Sequence, residues 1–185
     1  MLSLIKSETP FTRRKGFVMP FTPFHIGPAL LLGLAFSQFF DLPALLIASV
    51  IPDLEPLYVM HFNISGYPLH GFFHSYLGAS ILALFVAAIF YPLRGLFGKV
   101  MTFFRIPRKT SLKKILLTSF VGVYSHVFLD SFLYGEMMPF YPLQGNPFIN
   151  ILVPYQYSII YGFCSLSFLL GIIAYLIRLR LAFQK

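Results

Sequence analysis

Residues 115–134 read ILLTSFVGVYSHVFLDSFLY, an apolar stretch interrupted by one histidine, His126, and one acid, Asp130. A helix needs about 20 predominantly apolar residues to cross the hydrocarbon core of a bilayer, and this stretch supplies them without a lysine or arginine. Working outward, further apolar segments run near 24–40, 43–60, 70–92 and 157–178. The first two are short for a full span and the later ones long enough. The pattern predicts an all-α fold, a polytopic membrane helical bundle of about five transmembrane or partly re-entrant segments.

Composition agrees. Of 185 residues, 57% are hydrophobic and 11% charged, with a mean hydropathy of +0.77; a soluble domain carries roughly 25% charged residues. Lipid must solvate much of such a surface. The formal net charge of +8 would suit a nucleic-acid partner, but its placement argues against one: Arg94, Lys99, Arg105, Arg108, Lys109, Lys113 and Lys114 crowd between the third and fourth segments. That bias marks a cytoplasmic loop. The expected partner is membrane lipid, with no nucleic acid, and the expected location is the plasma or inner membrane with the C-terminus cytoplasmic. Cys164 stands alone in an apolar run, which excludes a disulfide framework and a thiolate metal site. Oligomeric state is open.

The domain expectation is a single helical domain over 19–185, preceded by a basic extension at 1–18. Lys6, Arg13, Arg14 and Lys15 would lie on the wrong side for the charge rule. A start at Met19, an inside N-terminus with a re-entrant early segment, or a targeting segment would each resolve this.

With that topology the polar residues fall together at the non-cytoplasmic face. His70 and His74 are spaced i,i+4, which on a helix puts both imidazoles on one side, a geometry suited to two metal ligands. His126 and Asp130 repeat the spacing, and an acid inside an apolar span costs ~2.5–3.5 kcal/mol even on the lenient insertion scale. Such an acid is a candidate ligand or orients a ligating imidazole; the alternative is a structural His–Asp hydrogen bond. Asp53 and Glu55 sit in Pro52-Asp53-Leu54-Glu55-Pro56, where prolines break the second segment. Two nearby carboxylates repel unless a cation or proton lies between them, so both are candidate oxygen ligands or general bases. His25 opens the first segment, and Glu136 lies just past the fourth.

Taken in order, His25, Pro52-Asp53-Leu54-Glu55, His70 with His74-Ser75, and His126 with Leu129-Asp130 followed by Pro142 resemble a known pattern. It is that of the membrane-bound metal-dependent hydrolases, described as LexA-regulated inner-membrane proteins with an archaeal branch and distantly similar to zinc-dependent phospholipases and nucleases. The resemblance covers roughly residues 19–145. It implies that His25, Asp53, His70, His74, His126 and Asp130 are metal ligands or their neighbours. This chain departs from the pattern in having Glu55 where many members have aspartate, and His-Gly-Phe-Phe-His without the usual arginine.

The resulting expectation is one or two divalent ions, zinc before manganese, activating water against an ester or phosphoester of a lipid-like substrate, with Glu55 or Asp53 accepting the proton. Two other classes stay open. An ion- or proton-coupled transporter would place polar residues along a path through the bilayer, and the cytoplasmic halves of these segments are apolar. A structural or haem-binding membrane protein would use the histidines but leave the acids without a purpose.

Overall fold

Three helices of this chain begin at a side-chain cap, and the second apolar path breaks where proline removes a donor. A computed structural model describes residues 23–106 and 109–184. The basic extension at 1–18, Met19 and Arg108 lie outside the described residues. A 3₁₀ turn at Pro23–His25 leads into α1, Ile26–Ala35. Helix α2, Leu42–Ala48, is capped by the Asp41 carboxylate, which accepts from the Ala44 N–H at 3.3 Å. Its hydrogen-bond ladder fails at Pro52, a 3₁₀ turn takes over at Ile51–Asp53, and α3 resumes over Leu54–His61. Ser75 caps α4, Tyr76–Phe90, through the Gly78 N–H, and Ser111 caps α6, Leu112–Ser131, through the Lys114 N–H. Between them lies α5, Arg94–Phe103, bent 79° from α4. Helix α7 spans Gln156–Phe183.

Among the described residues, three helical paths are long and apolar enough to cross a membrane: Leu42–His61, Leu112–Ser131 and Gln156–Phe183. The bent pair α4–α5 makes a fourth if counted as one span. The chain is therefore an all-helical, polytopic bundle. Three sequence expectations need correction. The first apolar segment yields a helix of 10 residues, too short to cross alone, because the chain turns at Phe36. The third begins at Tyr76 rather than near residue 70. The basic stretch is not a plain loop, since α5 occupies it.

Helix α6 packs on both α2 and α4, and α1 packs on α7 and α2. Small side chains make these contacts close: Ala44, Ala48, Ala79 and Ala83 are buried beside Val123 and Val127. Close backbone approach substitutes for the hydrophobic drive that lipid does not supply. Gly122 lies where a Cβ would come within 2.5 Å of Ala48 Cβ, and a Cβ at Gly27 would collide with the Cys164 carbonyl. The outer face of α7, with Leu166, Leu169 and Leu176, stays exposed, as a lipid-solvated helix requires.

The two ends differ in charge. At one, Lys114 donates to the Ser37 carbonyl at 2.6 Å, Arg178 to the Ser37 hydroxyl at 3.1 Å, and Tyr175 to the Phe104 carbonyl at 3.3 Å. The starts of α1 and α4, the α2–α3 break and the last turn of α6 gather at the other.

Candidate metal centre

Pro52 sets the local geometry. It has no N–H, and the Asp53 N–H bonds to the Val50 carbonyl at 3.1 Å. The Ser49 carbonyl is thus freed from the ladder and accepts a hydrogen bond from His126 Nδ1 at 2.8 Å. A carbonyl only accepts, so Nδ1 carries a proton, and it is Nε2 that would present a lone pair to a metal. His74 is held the same way: Nδ1 lies 2.8 Å from Glu55 Oε2, and the ionised carboxylate only accepts. Both imidazoles therefore aim Nε2 inward, where the two atoms stand 3.3 Å apart.

Two carboxylates join them. Asp130 Oδ2 is 3.2 Å from His126 Nε2 and 3.8 Å from His74 Nε2, and Asp53 Oδ1 is 3.6 Å from His126 Nε2. One ligand atom from each of Asp53, His74, His126 and Asp130 lies within 4.8 Å of all the others. None of the four residues is more than 1% exposed. Tetrahedral zinc with bonds of about 2.0–2.1 Å holds its donors roughly 3.3–3.4 Å apart, close to the spacing here. Both Asp53 oxygens are buried without a hydrogen-bond partner. Leaving such groups unmatched is costly, and a cation at their centre would satisfy them. The donor set fits a divalent metal.

The remaining histidines flank this group. His25 Nε2 approaches Asp130 Oδ1 at 3.0 Å, and its ring lies 4.1 Å from that of His126. The His70 ring stacks on Tyr134 at 3.7 Å and meets His74 edge-on at 4.8 Å. His70 Nδ1 is 2.8 Å from Glu136 Oε1, while Nε2 is buried and without a partner. That hydrogen bond holds the Glu136 carboxyl below its ordinary pKa.

Glu55 stands behind the cluster. Oε1 accepts from Tyr67 Oη at 2.7 Å and from the Phe73 N–H at 3.1 Å. Oε2 accepts from the Gly71 N–H at 3.1 Å as well as from His74. A carboxylate bonded to four donors is arranged to orient His74, and Asp53 alone of the proline-bounded pair reaches the centre. Burial pushes the Tyr67 hydroxyl pKa up.

The helical pairing of His70 with His74 is corrected. These residues precede α4: Gly71 has φ −95° and ψ −130°, and Phe72–His74 form a 3₁₀ turn. Glu55 holds this turn by accepting from the Gly71 and Phe73 N–H groups. His126 and Asp130 do share a face of α6. The Ser49 carbonyl and Tyr67 were not foreseen. A signal for the first existed, since Pro52 cannot bond a carbonyl three or four residues back; nothing marked Tyr67. His61 is exposed at the end of α3 and takes no part.

Among curated proteins and among solved structures, none matches the chain significantly. A family model does match residues 19–183, and on that extent the chain belongs to the YdjM inner membrane protein family.

Proposed function

We propose that the protein is a membrane-embedded, divalent-metal-dependent hydrolase acting on an ester or phosphoester of a lipid-like substrate. One observation carries this reading: two imidazoles, each clamped at Nδ1, present Nε2 to one another at 3.3 Å beside two buried carboxylates, of which Asp53 has neither oxygen hydrogen-bonded. Asp53, His74, His126 and Asp130 would hold the metal, with His25 and His70 adjoining. Nitrogen and oxygen donors in this arrangement favour zinc, with manganese the next candidate. A bound divalent ion supplies Lewis acidity and lowers the pKa of bound water. Glu55 orients His74 and Glu136 orients His70, as outer carboxylates do in metal centres. Asp53, whose two oxygens have no hydrogen-bond partner, is the proton acceptor in this reading. The site lies at the bundle end opposite Lys114 and Arg178, which we assign to the non-cytoplasmic face.

Metal content of detergent-purified protein, measured by elemental analysis beside a His74→Ala, His126→Ala double variant, tests the reading. Near-stoichiometric zinc or manganese that vanishes in the variant is expected, and justifies lipid ester and phosphoester assays. Folded wild-type protein that stays metal-free after repletion would sink it. Complete burial of the four donors favours a second reading, a closed structural metal staple. A metal-loaded protein inert towards every lipid ester would select it.

A further inference from the structure

A cavity of about 200 Å³ adjoins His70, lined chiefly by Tyr67, His70, Phe72, Glu136, Met138 and Tyr141. It combines one carboxylate with three aromatic rings. The Glu136 side chain is 41% exposed, and its Oε1 accepts from His70. Phe72 and Tyr141 meet edge-to-face with centroids 5.7 Å apart. No lysine or arginine occurs between residues 50 and 93 or between 115 and 177, so no fixed cation from those stretches competes for the carboxylate. Aromatic rings attract ammonium groups within about 6 Å of their centroids, and a carboxylate beside them adds full charge.

A second cavity, of about 450 Å³, runs along α3 and α4, walled by Ile51, Leu54, Tyr58, Val59, Leu82 and Phe85. It is apolar and reaches Glu55. Tyr67 lines both spaces. Its hydroxyl is fixed by donation to Glu55 at 2.7 Å and by acceptance from the Phe72 N–H at 2.9 Å. Its ring occupies the place where a Cβ on Gly71 would stand. Tyr67 is a wall shared by a polar aromatic chamber and a hydrocarbon-lined one.

We propose that the two chambers bind one zwitterionic lipid, with its ammonium headgroup against Glu136, Tyr67, Phe72 and Tyr141 and a hydrocarbon chain along α3 and α4. The pairing of chambers commits the occupant to a lipid rather than a free ammonium alcohol. A headgroup without an ammonium meets Glu136 as a like charge, and among the described residues that line the chamber none is an arginine or lysine that would compensate it. This deepens the hydrolase reading by naming its substrate class, and rests on that reading for turnover but not for binding.

Native mass spectrometry of the metal-loaded full chain, offered equal amounts of dioleoyl phosphatidylcholine and dioleoyl phosphatidic acid, tests it. Retention of phosphatidylcholine over phosphatidic acid by roughly three- to thirtyfold is expected, the range that cation–π contacts of this kind supply. Glu136→Gln keeps the side-chain shape and should remove the preference. Tyr141→Leu, which does not touch His70, should lower it about threefold or more. Equal retention of both lipids by the wild type, or a preference untouched in both variants, overturns the pocket. Free choline displacing the lipid at equal concentration overturns the two-chamber assignment. Metal content is read on the same samples. A preference surviving in metal-free protein supports the pocket while the hydrolase reading fails; metal retained without preference overturns the pocket and leaves that reading standing.

Discussion

The centre depends on residues that never face it. Glu55 fixes the proton on His74 Nδ1 and folds the Gly71–Phe73 backbone around itself. Glu55→Ala is expected to lower metal affinity roughly 10–100-fold, the usual cost of losing an outer-shell partner. Glu55→Gln keeps part of the bonding and should fall between that variant and wild type. Competition against a chelator of known affinity measures both; equal affinity for all three forms would show that Glu55 has no orienting role. At this scale the sequence was partly legible. His126 and Asp130 announce themselves because polar groups in an apolar span need a reason. The division of labour between Asp53 and Glu55 was not readable, because it depends on which carboxylate the Gly71 turn wraps.

Elements bring these residues together through close packing. Helix α6 carries His126 and lies against α2, whose Ser49 carbonyl clamps that ring, and the contact passes through Gly122 and Ala48. Gly122→Ala forces the helices apart and should cost about 1–3 kcal/mol, as overpacking does. Thermal unfolding in detergent should register it together with weaker metal retention. Gly162→Ala in α7 is the control, since a Cβ there meets nothing within 4 Å; it should hold or raise stability by roughly 0.5–1 kcal/mol. A Gly122→Ala variant as stable as the control would refute the close-packing account. Helix existence was legible from apolar length, and the α2–α3 break from Pro52. The 3₁₀ start before α4 was not, because a tertiary hydrogen bond to Glu55 overrides the local i,i+4 pattern.

Among the described residues, Lys114 and Arg178 lie at the end of the bundle opposite the site. Lys99→Cys in α5 and Gln144→Cys beyond α6 give labels for each end, with the buried Cys164 left in place. A membrane-impermeant maleimide applied to whole cells should modify the Gln144 variant and reach the Lys99 variant only after permeabilisation. The reverse pattern would place the centre in the cytoplasm. Chelation should also lower the melting temperature, because a ligand that binds the folded state alone stabilises it by mass action. The order of the helices carries a temporal consequence. Helix α1 brings His25 to the centre, yet its broad packing partner α7 is made after α1 to α6. Asp53, His74, His126 and Asp130 are all in the chain before α7 exists. During synthesis the inner donors can therefore gather first, and His25, made before all four, is seated after them.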